Sequence, residues 1–216
     1  MQQQEIAQFN MLEQQVRPNE VDNTRVLDAI REIDRASFVD EKLVGLAYAD
    51  TALAMGYGQT MLPPLLQAKI LQAVDIQPNE VVLEIGTGTG YLTVLIAQLA
   101  QQVISVEIVP ELSAQAQQNL AAFNNISLQV GDASKGWQLD DRVDVIVATA
   151  AFVNTPDELL NLLNVGGRML VAVGEAPAMN VQLIHRVTER EWQSKTVFET
   201  VMPHIINAEP KAKFEF

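Results

Sequence analysis

The chain contains no cysteine and only two histidines among its 216 residues. The absence of cysteine excludes a disulfide framework, a cysteine-ligated zinc site and a thiol nucleophile, and it fits a reducing compartment. His185 and His204 do not have the short helical spacing of a metal-binding histidine pair. We therefore predict no metal site and a structural role for each histidine.

Basic residues are also few, and they are scattered rather than clustered. Lys and Arg number 14 against 27 Asp and Glu, which gives a formal net charge of -13. A surface of this charge repels phosphate backbones. We therefore predict that nucleic acids are not partners of this protein.

Long apolar segments are missing as well. The N-terminal MQQQEIAQFN has neither the basic start nor the continuous apolar stretch of a signal peptide, and no membrane-spanning segment is evident. Coiled-coil heptads are not visible, and one α/β domain is evident. The sequence thus predicts a cytoplasmic monomer that does not associate with membranes.

What the chain does contain is a glycine-rich segment at residues 81–100. Val81–Ile85 is a short apolar run with β-branched residues, which is typical of a strand buried on both faces. Gly86, Gly88 and Gly90 follow at alternate positions, and from Tyr91 the apolar residues recur at helical spacing. This pattern predicts a strand, a tight turn and a helix N-terminus, where backbone amides can approach a ligand closely.

Two classes of ligand compete for this turn. A dinucleotide site requires G-x-G-x-x-G, but Tyr91 stands where the third glycine is needed. The chain instead reads E-x-G-x-G-x-G, and Glu84 would repel a pyrophosphate but can face a cationic ligand. S-adenosyl-L-methionine carries a sulfonium and an ammonium group. We therefore predict S-adenosyl-L-methionine, rather than NAD, as the cofactor.

Strand and helix patterns alternate after the turn. Further strands are predicted at 103–106, 126–130, 143–147 and 168–173, and a final antiparallel hairpin at 181–187 and 192–202. This alternation predicts an α/β fold with a doubly wound, mainly parallel, seven-stranded sheet.

The residues before the sheet predict a helical extension. Apolar spacing indicates helices near 6–16, 23–33 and 65–74, and the pattern loses its period between 38 and 64. Irregular stretches of this length are often functional. We divide the chain into an extension with a covering loop (1–75) and a cofactor-binding domain (76–216), packed as one unit.

Acidic residues follow two of the later strands. Glu107 lies about twenty residues beyond the glycines, where a carboxylate can accept hydrogen bonds from both ribose hydroxyls. Asp132 and Ala133 follow the next strand, where they can meet an adenine amino group. Such an acidic residue occurs in NAD and in adenosylmethionine sites, so the glycine spacing alone separates the two.

Several segments resemble the protein-L-isoaspartate O-methyltransferase family, from about residue 11 to residue 203. They are RVLDAI (25–30), AYADTAL (47–53), GYGQT (56–60), VLEIGTGTGY (82–91), VGD (130–132) and TAA (149–151). GYGQT is far more specific than the glycine-rich turn, which many methyltransferases share. The resemblance implies a Rossmann-like methyltransferase fold and an enzyme that methylates isoaspartyl carboxylates of damaged proteins, as a repair activity.

The resemblance also implies a role for each residue of the site. It assigns the methionine end of the cofactor to Glu84, Gly86 and Gly88, the ribose to Glu107, and the adenine to Asp132 and Ala133. The predicted cofactor-binding set is completed by Thr87, Gly90, Tyr91 and Ile108. Gln59 and Thr60 are expected in the loop that closes over the methyl donor and the substrate carboxylate.

The chain departs from the family pattern next to this loop. The family continues Gln-Thr-Ile-Ser-x-Pro, whereas this chain reads QTMLPP at 59–64, so Leu62 replaces the serine expected beside the substrate carboxylate. We count Gln59, Thr60 and position 62 as the predicted catalytic residues. Two alternatives remain open: a methyltransferase of the same fold with another acceptor, or a cofactor-binding protein with little turnover.

The replacement at position 62 generates a first prediction. Loss of one hydrogen-bond donor from a water-poor site costs about 1 to 3 kcal/mol, or roughly ten- to a hundredfold in rate. We expect weak isoaspartyl methylation that Leu62→Ser raises about tenfold. Steady-state kinetics of both proteins on one isoaspartyl peptide measure this, and equally fast turnover would show that the hydroxyl is dispensable.

Overall fold

Short helical segments form the start of the chain in the computed structural model, which describes residues 2–210. Helix α1 (Gln2–Asn10) continues as a π-helical segment (Met11–Val16) and then a 3-10 turn that contains Pro18. Helix α2 (Thr24–Glu32) begins after Asn23, whose side-chain oxygen accepts two backbone N–H bonds. This oxygen satisfies donors that the first turn of a helix leaves free.

The irregular stretch between α2 and α3 (Pro64–Val74) contains more structure than its sequence pattern predicts. It has two 3-10 segments (Arg35–Phe38 and Glu41–Leu46), followed by strands β1 (Leu53–Gly56) and β2 (Gln59–Met61). The two strands form an antiparallel hairpin that pairs Leu53 with Met61. Elements this short give too little periodicity to be recognised from sequence.

The described residues form a central sheet of seven strands, namely β3 (Val81–Ile85), β4 (Gln102–Glu107), β5 (Ile126–Val130), β6 (Val143–Phe152), β7 (Leu163–Glu175), β8 (Ala178–Arg186) and β9 (Trp192–Thr200). Their order across the sheet is β5-β4-β3-β6-β7-β8-β9. The first five strands in this order are parallel, and β8 and β9 are antiparallel. The predicted mainly parallel seven-stranded sheet with a terminal hairpin is therefore confirmed.

Helices cover both faces of this sheet. They include α4 (Tyr91–Leu99), α5 (Pro110–Asn119) and the short α6 (Asp157–Leu160). Successive residues of β3 point to opposite faces, so that Val82 packs in the core that contains α4, and Leu83 packs in the core that contains α6. Burial on both faces explains why β3 reads as a continuous apolar run.

The later strands begin and end elsewhere than the sequence predicts. Strand β6 extends five residues beyond the predicted 143–147, with a register shift between Val147 and Ala151. At Ala151 it hydrogen-bonds Pro203 and Ile205, which brings the segment after β9 to this strand. Strand β7 begins at Leu163, before the predicted 168–173. These changes reflect long-range pairing, which a local pattern does not contain.

The parallel strands place the predicted site at one edge of the sheet. The carboxyl ends of β3, β4, β5 and β6 all lie at this edge. The chain reverses direction across the sheet between β3 and β6, and such a switch point opens a crevice for ligands in open α/β sheets.

The N-terminal segments pack directly on the sheet region. The Phe38 and Tyr91 rings meet edge to face, with centroids 5.5 Å apart. The proposed division into 1–75 and 76–216 stays a prediction. None of the helices in residues 2–210 has the length and apolar character that crossing a bilayer requires.

Candidate active site

A cleft lies at the carboxyl ends of the parallel strands. The space between its walls, counted together with the solvent-filled mouth, is about 890 Å³. The glycine turn, the β1–β2 hairpin and residues 203–206 contribute to its walls. Every predicted site residue except Glu84 and Gly90 lines it, namely Gln59, Thr60, Leu62, Gly86, Thr87, Gly88, Tyr91, Glu107, Ile108, Asp132 and Ala133.

Two glycines allow close packing around the turn. Gly86 has φ 97°, and a β-carbon there would lie 2.2 Å from Thr149 Oγ1. Gly88 has φ 56°, and a β-carbon there would lie 2.9 Å from the end of the Met55 side chain. Thr149 Oγ1 also donates a hydrogen bond to the Gly86 carbonyl at 2.9 Å. The turn is thus held between β6 and the hairpin, and a side chain at Gly86 would break its contact with β6.

Glu107 joins the glycine turn to the end of β4. Its side chain is 5 % exposed and lines the cleft. The carboxylate accepts hydrogen bonds from the Gly88 N–H at 2.8 Å and the Val109 N–H at 3.0 Å. Because each carboxylate oxygen has a further acceptor site, Glu107 can still bind ligand hydroxyls.

Asp132 stands on the neighbouring wall, after β5. It accepts hydrogen bonds from the Ser134 N–H at 2.8 Å and from Asn207 Nδ2 at 2.9 Å. Desolvation works to raise the pKa of Asp132, but these donors outweigh it and lower the pKa below its usual value. Ala133 is buried beside it. The carboxylate therefore stays ionised, and Asn207 ties the C-terminal segment to this wall.

Glu84 is fully buried and does not line the cleft. Its Oε2 accepts hydrogen bonds from Thr93 at 2.5 Å and from Ser105 at 2.6 Å. The Ser105 hydroxyl lies 2.6 Å from that of Thr87 in the glycine turn. Burial raises the pKa of Glu84 to about 7, although both hydroxyl donors oppose the shift. Glu84 is thus connected to the glycine turn through the hydroxyl groups of Ser105 and Thr87.

The direction of the β3 side chains explains why Glu84 points away from the cleft. Ile85 lines the cleft, so Glu84, one residue earlier, points to the opposite face and toward Thr93 on α4. Gly90 does not line the cleft either, and a β-carbon there would lie 2.9 Å from Leu120. The predicted ligand contacts of these two residues gain no support from this geometry.

Gln59 and Thr60, which were predicted to lie in a loop, lie in strand β2, and Leu62 follows this strand on the other side of the cleft. Leu62 is 7 % exposed, and its carbonyl accepts a hydrogen bond from Arg35 Nη2 at 2.7 Å. The guanidinium lies 4.8 Å from the centre of the Tyr91 ring. Burial lowers the pKa of Arg35 to about 10 and raises that of Tyr91 to about 12, so both keep their ordinary charge at neutral pH.

Sequence reasoning missed several residues that line the cleft. They come from segments without a ligand motif, namely Met55, Gln67, Leu92, Thr149 and residues 203–206. His204, predicted to be structural, lines the cleft while its Nε2 lies 2.8 Å from the Gly174 carbonyl. Thr89 also lines the cleft and is absent from the predicted set, although its position between Gly88 and Gly90 places a hydroxyl group in the glycine turn.

Comparisons with known proteins find relatives along most of the chain. A sequence model of the protein-L-isoaspartate(D-aspartate) O-methyltransferase family matches residues 7–206. The protein-L-isoaspartate O-methyltransferase of Anaeromyxobacter dehalogenans (strain 2CP-C) is 44% identical over 182 residues, which cover 83% of this chain and 86% of that protein. The Myxococcus xanthus enzyme is 45% identical over 156 residues, covering 71% of this chain and 74% of its own.

A solved structure has the same fold. A Plasmodium falciparum protein assigned to the protein-L-isoaspartate O-methyltransferases, crystallised with S-adenosyl-L-homocysteine, superposes with a TM-score of 0.80. The superposition covers 94% of this chain and 97% of that chain at 19% identity. At this identity, the likeness shows a shared fold.

The buried carboxyl of Glu84 generates a prediction about pH. Its pKa is about 7 in the folded chain against an ordinary 4.5. Between these two pH values the carboxyl is therefore protonated in the folded state and ionised in the unfolded state. Stability therefore falls as the pH rises from 4.5 through 7. Glu84→Gln keeps an acceptor oxygen but cannot ionise. We expect the variant to gain up to about 3 kcal/mol over the unmodified protein between pH 5 and pH 8.

Denaturant unfolding at pH 5 and pH 8 measures this gain. The matched control is Glu199→Gln, which makes the same substitution at an exposed position of β9. A difference between Glu84→Gln and the unmodified protein that stays the same at both pH values would contradict the raised pKa.

Proposed function

We infer that this chain, which belongs to the protein-L-isoaspartate(D-aspartate) O-methyltransferase family, uses its cleft to bring S-adenosylmethionine and an isoaspartyl carboxylate together. The chain is an S-adenosylmethionine-dependent methyltransferase that acts on isoaspartyl carboxylates in proteins. What we propose is which of its residues hold each partner.

The residues of the cleft fit the cofactor. Thr89 Oγ1 is buried and has no hydrogen-bond partner within residues 2–210, and Thr89 lines the cleft, where a polar ligand can satisfy it. The first amides of α4, after Gly90, are open donors at a helix N-terminus. Ile85 and Val106 add apolar surface to the same cleft. This combination suits a ligand with an adenine ring and a charged amino-acid end.

The observation that carries the proposal is the position of Glu107. A carboxylate that accepts the Gly88 N–H and lines the cleft at the end of β4 is suited to the two ribose hydroxyls. With the ribose at Glu107, the glycine turn holds the methionine end of the cofactor, and Asp132 with Ala133 holds its adenine. Tyr91 and Ile108 complete the walls.

The chemistry demands little of the protein beyond positioning. The cofactor supplies a methyl group on a sulfonium, and a carboxylate oxygen takes this methyl while the sulfur keeps the electron pair of the broken bond. The acceptor carboxylate has a pKa of about 4 and is already ionised at neutral pH, so it requires no general base. Gln59 and Thr60 in β2, with Leu62 after it, have to align the two reactants and exclude water.

The proposal extends to the setting in which the enzyme acts. We place it in the cytoplasm as a monomer that takes protein substrates and no nucleic acid. The excess of acidic over basic residues supports the last point, and the absence of cysteine fits a reducing compartment.

The proposed function predicts a difference between two peptides that vary only in one linkage. With radiolabelled S-adenosylmethionine, we expect the isoaspartyl peptide to acquire base-labile methyl ester and the matching aspartyl peptide to stay unlabelled. Equal labelling of both peptides, or no labelling while S-adenosylhomocysteine binds saturably, would contradict isoaspartyl methylation. The second result would favour a different acceptor around Leu62.

A further inference from the structure

Arg35 is a fully buried cation that hydrogen-bonds Leu62 and Gln67. These two residues line the cleft together with Thr60, and we call this wall of the cleft the substrate side. Arg35 Nε donates to the Ala47 carbonyl at 2.8 Å, Nη2 donates to the Leu62 carbonyl at 2.7 Å, and Nη1 donates to Gln67 Oε1. The Tyr91 ring lies against the same guanidinium. Within the described part of the chain, Arg35 makes no ion pair. The guanidinium thus connects residue 62 to the first turn of α3.

The bond from Arg35 determines which atom of the Gln67 amide is left without a partner. Arginine has five N–H donors and no acceptor, so Gln67 must present its oxygen to Arg35. The amide nitrogen then points away from the guanidinium, and it has no partner among residues 2–210. Gln67 is 3 % exposed and lines the cleft together with Leu62 and Thr60. It therefore offers a fixed N–H donor to whatever occupies this side.

We propose that Gln67 donates its side-chain N–H to the carboxylate of the methyl acceptor, and that Arg35 is the positioning residue that holds this amide in place. The inference rests on the proposed function, because it takes a carboxylate as the acceptor. Leu62 leaves this side of the cleft without a serine hydroxyl, and Gln67 is a neighbour that supplies an N–H donor of its own. A single guanidinium bonds both residues, so Gln67 lies next to position 62.

The reaction itself predicts how loss of this donor shows in the kinetics. The acceptor carboxylate loses its negative charge as the new bond to carbon forms. A hydrogen bond to the carboxylate is therefore stronger before the transition state than within it. An interaction of this kind contributes to substrate binding rather than to the chemical step. Loss of the Gln67 donor should thus raise the peptide KM and leave kcat nearly unchanged.

Two substitutions separate this role from a structural one. Gln67→Met removes, at similar length, both the donor and the oxygen that accepts from Arg35, and we expect the KM for an isoaspartyl peptide to rise about ten- to a hundredfold, the usual effect of a hydrogen bond to a charged group. Gln67→Glu keeps an oxygen for Arg35 but turns an acceptor toward the substrate. We expect it to raise the KM further, with a melting temperature at least equal to that of the unmodified protein.

Three further measurements serve as controls. Affinity for S-adenosylhomocysteine should change less than about twofold in both variants, since Gln67 lies on the substrate side. Gln117→Met, the same change at an exposed position of α5, should leave every parameter unaltered. Adding Leu62→Ser to the Gln67→Met protein should lower the peptide KM most of the way back to that of the unmodified protein, because the serine hydroxyl supplies the missing donor.

The outcomes distinguish this inference from the function on which it rests. No isoaspartyl methylation by the unmodified protein would overturn the proposed function, and with it the role of Gln67. Methylation with an unchanged KM in Gln67→Met would overturn the role of Gln67 alone. A parallel loss of S-adenosylhomocysteine affinity would also overturn it, because Gln67 would then support the shape of the whole cleft.

Discussion

The hydrogen bond from the Gly88 N–H to the Glu107 carboxylate ties the turn after β3 to the end of β4, and the cofactor side of the cleft depends on it. Thr149 and Met55 hold the same turn from two other directions, at positions where a β-carbon would collide with them. Behind the turn, hydroxyl groups link Thr87 to the buried carboxyl of Glu84. Because the turn is held on all these sides, its backbone is ordered before a ligand binds. Binding therefore costs little conformational entropy at the turn.

The substrate side is organised by a different constraint, a buried guanidinium from the N-terminal segments. A buried cation without a paired carboxylate destabilises the fold unless its N–H donors are hydrogen-bonded. The donors of Arg35 are bonded by the Ala47 carbonyl, the Leu62 carbonyl and Gln67 Oε1 together. The need to satisfy this guanidinium therefore fixes residue 62 and α3 relative to each other. Tyr91, at the start of α4, contacts this guanidinium and joins the two sides of the cleft.

The sequence predicted those features that local patterns contain. The bounds of β3 and β5 and the glycine turn agree with the structure, because apolar runs and glycine spacing are properties of neighbouring residues. The ligand contact predicted for Glu84 gains no support, because the period of two along β3 places Ile85 toward the cleft and Glu84 toward the opposite face. The contacts of Arg35 with Gln67 and of Ala151 with Pro203 join distant segments, and such pairings are set by packing rather than by local sequence. The ligand contacts and the domain boundary stay predictions.

The most direct test of the account is the binding of S-adenosylhomocysteine by calorimetry to the unmodified protein and to Glu107→Ala. We expect saturable binding that the substitution weakens by about 1 to 3 kcal/mol, because ribose hydroxyls lose their acceptor. NAD should give no signal, and Glu111→Ala, at an exposed position of α5, should bind as the unmodified protein does. Unchanged affinity in Glu107→Ala, or saturable NAD binding, would contradict the account.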